Sequence, residues 1–148
     1  IAVGLARYGC WPQVHRLAEA TFAAAALFEG YRLPEVISGL PRDGRYPHPG
    51  AYPNACSPQG WSASAIVAIV QALLGLRPAA PIRTIVVDPH LPDWLPDLTL
   101  EGVQIGRAVV DLDLRLRRDG RTIVRTRGDR ITVLRQPTVQ SRLAARHR

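Results

Sequence analysis

Between residues 31 and 56 the chain carries five prolines (Pro34, Pro41, Pro47, Pro49, Pro53) and three glycines (Gly39, Gly44, Gly50). A helix cannot hold that density, because each interior proline removes an amide donor and its ring clashes with the preceding turn. A strand ladder loses donors in the same way. The segment therefore predicts a long irregular connection that any fold of this chain must accommodate. Connections of this length within a compact domain are functional or disordered. Tyr31, Tyr46 and Tyr52, with the aliphatic residues beside them, favour the packed, functional option.

Helical patterns flank the connection. Ile1–Gly9 reads as the last turns of a helix closed by glycine. Because it opens in mid-pattern, it reads as a segment cut from a larger chain. Pro12 suits the first turn of a second helix, in which Val14, Leu17, Ala18, Thr21, Phe22, Ala25 and Phe28 recur at helical spacing up to Gly30. Ser57-Pro58-Gln59 predicts a third helix with Ser57 as N-cap and Pro58 at its first position, running to Leu74 and ended by Gly75. Trp61, Ala65, Ile66, Ile69, Val70, Leu73 and Leu74 form its apolar side.

After a linker at 77–81 the pattern changes to strands. Ile82–Val87 stops at Asp88-Pro89, and Leu98–Val103 and Arg107–Leu116 follow. In the last of these, Val110, Leu112, Leu114 and Leu116 alternate with Asp111, Asp113, Arg115 and Arg117, giving a sheet with one wet face. Asp119-Gly120 predicts a hairpin turn to Arg121–Arg125, and Ile131 and Val133 add a short last strand. The expected order is helices over 1–76, a small antiparallel sheet over 77–135, and a polar, frayed tail over 136–148.

Composition narrows the function classes. All 19 basic side chains are arginine, against 12 acidic ones, for a net charge of +7. The absence of lysine beside abundant Ala, Pro and Gly reads as GC-rich codon usage as much as selection for a basic surface. With no basic helix and no aromatic-interleaved basic strand, the expected partners do not include nucleic acid. The longest apolar run, Ala63–Leu76, is interrupted by Ser64 and Gln71, so a membrane is not expected either. Cys10 and Cys56 lack metal spacing and read as reduced thiols of a cytoplasmic protein. His15, His90 and His147 are scattered without ligand spacing, so neither a metal nor a cofactor is expected. Asp111 and Asp113 read as solvated strand residues, without the glycine and distal glutamate of a calcium loop.

Two motifs carry a resemblance. Arg32-Leu-Pro-Glu-Val-Ile-Ser-Gly39 and Pro53-Asn-Ala-Cys-Ser-Pro-Gln-Gly-Trp61 resemble bacterial amylo-α-1,6-glucosidases of the glycogen-debranching type and their mannosylglycerate-hydrolase-like and glucosidase-I-like relatives. Asp88-Pro-His-Leu-Pro-Asp-Trp-Leu-Pro-Asp-Leu-Thr-Leu100 looks like the segment that follows in the bacterial members, so the likeness spans roughly residues 1–118. Gly60 stands where alanine is usual, and Val36-Ile37-Ser38 where Leu-Phe-Cys or Ile-Phe-Asp is usual. The resemblance implies an α+β chain: the last helices of an (α/α)6 toroid, then a small antiparallel sheet, as a fragment of a larger domain.

It also implies that Glu35 is a catalytic base. Inverting glycosidases set a base and an acid carboxyl roughly 6.5–9.5 Å apart across the scissile bond. The acid is expected upstream, outside this chain, and Asp43, eight residues on in a Pro/Gly loop, has no claim to the role. This chain alone is then expected to be inactive, and its partners are an α-glucan or oligosaccharide and the remainder of the parent domain. Arg32, Tyr31, His48, Gln59 and Trp61 are candidate substrate-binding residues. Each has a plainer reading: Arg32 as a partner of Glu35, Tyr31 as a loop wedge, His48 as an exposed loop residue, Gln59 as a cap, and Trp61 as core. A non-catalytic carbohydrate-binding or assembly module, with the Tyr/Trp loop as a sugar platform, is the alternative from a different class.

Overall fold

The computed structural model describes residues 1–50 and 52–137. The tail expected over 136–148 lies, from residue 138 on, outside the described residues, and so does His147. Three helices lead: α1 (Ala2–Arg7), α2 (Trp11–Ala25) and α3 (Gly60–Leu74). Six strands follow: β1 (Arg77–Ala79), β2 (Thr84–Val87), β3 (Asp97–Ile105), β4 (Ala108–Leu116), β5 (Thr122–Gly128) and β6 (Thr132–Arg135).

The toroid expectation is overturned. An (α/α)6 ring is built from many paired helices, whereas the described residues hold three, one of them a six-residue stub, set beside six strands. The strands also form two sheets instead of one antiparallel sheet. β3-β4-β5 is an antiparallel meander, and β1-β2-β6 is mixed, with β2 antiparallel to β1 and parallel to β6. The meander is thus inserted between the two parallel partners, Thr84–Val87 and Thr132–Arg135. The expected linker at 77–81 supplies β1 and the start of a 3₁₀ turn at Ala80–Ile82, which shortens the expected strand from Ile82 to Thr84.

Burial follows the alternation of β4. Val110, Leu112 and Leu114 are buried and pack with Leu74, Ile85, Val87, Leu91 and Ile105. A bulge between Leu100 and Val103 keeps both halves of β3 in phase with that core: Leu98 and Leu100 face inward before it, Val103 and Ile105 after it. Gly102 makes the bulge possible with φ +63°, a left-handed backbone that a side chain rarely tolerates, and its N–H donates to Asp111 Oδ1 at 2.9 Å. A second cluster joins the helices through Ala6, Val14, Ala18, Ile69, Ala72 and Leu73. The last turn of α3 bridges the two cores, with Leu73 in one and Leu74 in the other.

Helix ends differ from expectation for local reasons. α2 stops at Ala25, five residues before Gly30, and gives way to tight turns in which Leu27 N–H and Phe28 N–H reach back only three residues, to Ala24 O and Ala25 O. α3 begins at Gly60 with Gln59 as N-cap, not at Ser57. Gln59 is extended, with φ -109° and ψ 133°, and its N–H donates to Leu33 O at 3.2 Å across the connection.

Candidate functional site

The two motifs, separated by the long connection, meet at its mouth. Glu35 N–H donates to Cys56 O at 2.8 Å, and Gln59 N–H donates to Leu33 O. The Glu35 carboxylate completes the junction, its Oε2 accepting from Cys56 N–H at 3.2 Å. Leu33 and Pro34 are buried beneath it while Glu35 itself is exposed. The backbone around Glu35 is therefore fixed on both sides, and one carboxylate oxygen is oriented by an amide. Oε1 makes no hydrogen bond among the described residues, on a side chain that is exposed.

The remaining candidates distribute around this junction unevenly. Arg32 makes no ion pair with Glu35 among the described residues. It turns back over Gly30, where an added Cβ would lie 3.2 Å from its Nε, so its expected role as the Glu35 partner is corrected. Tyr31 adopts φ +57°, a left-handed conformation costing a non-glycine residue about 1–3 kcal/mol, and it presents its ring to solvent with 69% exposure. Gln59 caps α3 through Oε1, which accepts from Gly60 N–H at 3.1 Å, so its side chain is engaged in holding the helix start. Trp61 is the largest departure among these residues. The core position that its place on the apolar side suggested is corrected by an exposure of 69%. α3 has no charged residue and is apolar around most of its circumference, so its pattern did not mark which side faces out.

His48 lies elsewhere. It lines a groove of about 360 Å³ between Ala20 and Ala23 of α2, Leu27 just after that helix, and Ile37 and Tyr46 of the connection. That groove is walled mainly by apolar side chains, and Glu35 is not among them. Asp43 Oδ1 accepts from Arg45 N–H at 2.8 Å and Tyr46 N–H at 2.9 Å, folding the tip of the connection as an Asx turn. Ser38 Oγ accepts from Gly50 N–H at 3.0 Å and ties the two arms together, a contact without any sequence signal. Among the described residues no group of three or more His, Cys, Asp or Glu side chains is placed to hold a metal ion. No described helix is long and apolar enough to cross a membrane.

No family model, no curated protein and no solved structure matches this chain.

Proposed function

We propose that this chain contributes the base-bearing part of a glycoside hydrolase acting on α-glucosidic linkages, α-1,6 branch stubs in particular, by an inverting mechanism. The single observation behind the reading is the junction of Leu33-Pro34-Glu35 with Cys56–Gln59, in which one carboxylate is anchored by an amide and left open on its other oxygen. In this reading Glu35 removes a proton from the attacking water, while a carboxylic acid outside this chain protonates the departing glycosidic oxygen. A cytoplasmic setting suits the two cysteines, both of which are unpaired.

The test is hydrolysis of a branched α-glucan by the parent polypeptide carrying Glu35→Gln. Loss of a general base is expected to lower turnover by about 10²- to 10⁴-fold. Turnover close to that of the unaltered protein would remove Glu35 from the mechanism.

A second reading has its own observation. Tyr31 and Trp61 at 69% exposure, with Tyr52 at 51%, leave aromatic rings open to solvent in the segments that flank the two motifs, and such rings stack on sugars. On that reading the chain binds glucan without cleaving it. Retention on an α-glucan matrix that survives Glu35→Gln, with no hydrolysis by the parent polypeptide, selects it over the first.

A further inference from the structure

The connection between α2 and α3 stands away from the helix it follows. Ala20, Ala23 and Ala24 fall on the side of α2 opposite its buried stripe of Val14, Ala18 and Ala25, since an α-helix turns once in about 3.6 residues. Across from them Ile37, Leu40 and Tyr46 are 38%, 62% and 49% exposed. Apolar side chains therefore line both walls of the groove of about 360 Å³, and neither wall closes on the other. The shape of the connection here comes from its own bonds. Gly50 N–H donates to Ser38 Oγ at 3.0 Å, and Asp43 Oδ1 gathers Arg45 N–H and Tyr46 N–H into the turn at the tip. A concave, mainly apolar surface with a few polar groups in its lining is the ordinary make-up of a small-ligand site.

Size and lining narrow the ligand. An apolar cavity of about 150 Å³ admits a benzene ring, so this groove has room for two fused rings. Its floor of three alanines is flat and shallow, and the rings of Tyr46, Pro41 and Pro49 offer flat faces to an aromatic system. Arg42 is the one permanently charged side chain in the lining, and it makes no ion pair among the described residues. Asp43, beside it in sequence, is turned to the amides of the tip and is not part of the lining. A guanidinium holds a carboxylate through two parallel hydrogen bonds. A sugar would press its hydroxyls on walls that leave most of them unpaired, which costs binding energy.

We propose that the groove binds a planar aromatic carboxylate of two fused rings, its rings laid on Ala20, Ala23 and Ala24 and its carboxylate on Arg42. The site is separate from the Glu35 junction and does not depend on its chemistry.

Calorimetric titration of the whole chain with naphthoate tests it. One ligand per chain is expected, with a Kd of about 1 mM or tighter for a ligand of this size. Naphthamide, the uncharged counterpart, should bind about threefold to fivefold more weakly, and Arg42→Gln should erase that difference. Ala23→Leu sets a larger side chain on the exposed floor of the groove, and leucine is a good helix former. That variant should keep the helical circular dichroism and the denaturation midpoint of the unaltered chain while losing roughly tenfold or more in affinity. Arg77→Ala, on β1, should bind as the unaltered chain does. Absence of saturable naphthoate binding, or equal binding by Ala23→Leu, overturns the site. Equal affinity for naphthoate and naphthamide overturns the pairing of the carboxylate with Arg42. Tighter binding of octanoate than of naphthoate overturns the planar ring in favour of an acyl chain.

Discussion

Two connections of this molecule are built in opposite ways. The one from β2 to β3, residues 88–96, packs on the end of α3 and is absorbed into the core. Asp88 N–H and His90 N–H donate to Leu74 O at 2.9 Å and Leu73 O at 2.7 Å, satisfying carbonyls that the helix end would leave open. His90 stacks on Trp11 with ring centroids 3.7 Å apart, its carbonyl lies 3.0 Å from His15 Nε2, and Leu91 is buried beside it. The connection after α2 is pinned at its mouth, at Ser38–Gly50 and at its Asx turn, and between those points Leu40, Tyr46 and Tyr52 are about half exposed or more. The first connection holds helices to sheets. The second holds a carboxylate and several aromatic rings toward solvent, on backbone that little else in the fold depends on.

The sharpest way to separate the two is to remove the same side chain from each. Leu91 of the β2–β3 connection is 5% exposed and packs in the sheet core, so Leu91→Ala should cost about 2–5 kcal/mol through lost burial and the cavity left behind. Leu40→Ala, at 62% exposure in the other connection, should change stability by about 0.5 kcal/mol or less. Chemical denaturation of both variants reads the difference directly. Equal losses would mean that the connection after α2 is as deeply integrated as the sheet.

A smaller effect is expected where the end of α3 meets the β2–β3 connection. Gly75 closes the helix at φ +55°, and a Cβ there would fall 2.8 Å from Asp88 Cβ and 3.0 Å from Asp88 N and O. Because two of those contacts are with backbone, the chain cannot relieve them by rotating a side chain. Gly75→Ala should therefore cost roughly 1–3 kcal/mol, the range for a strained left-handed residue. A thermal midpoint equal to that of the unaltered chain would show that the Asp88–His90 segment shifts freely.

Smaller again is the effect at the mouth of the other connection. Glu35→Ala removes the bond to Cys56 N–H while leaving the two main-chain bonds in place, so about 0.5–1.5 kcal/mol is expected. Amide exchange should quicken at Cys56 and stay unchanged in β4. Faster exchange throughout β4 would contradict the separation of the two regions.

The sequence made some of this legible and hid the rest for identifiable reasons. The alternation Val110, Leu112, Leu114 marks β4 and its buried face, because a half-buried strand repeats every second residue. The Asp119-Gly120 turn and the end of α3 at Gly75 were equally readable from local chemistry. The pairing of β2 with β6 was not, since Thr84 and Thr132 meet across the whole inserted meander and neither short strand signals a parallel partner. The toroid expectation failed at the same level: it rested on two motifs of a few residues, and local motifs do not count helices. At the site, the meeting of Leu33–Glu35 with Cys56–Gln59 follows from where the two motifs stand around the connection. The absence of an Arg32–Glu35 pair does not, because it depends on Gly30 and Tyr31 both taking left-handed backbone.

Trp61 offers the finest test of the comparison, because fold and function there point in different directions. Its ring stands at the first turn of α3, 69% exposed, on a helix whose far end fills both cores. Removing an exposed ring withdraws little area from contact, so Trp61→Ala should leave the denaturation midpoint within about 0.5 kcal/mol of the unaltered chain. If the exposed rings that flank the two motifs receive sugars, the same change should weaken retention on an α-glucan matrix severalfold while the fold stays intact. A loss of stability with no loss of retention would invert the assignment. Trp61 would then be a packing residue, and the carbohydrate surface would have to be sought without it.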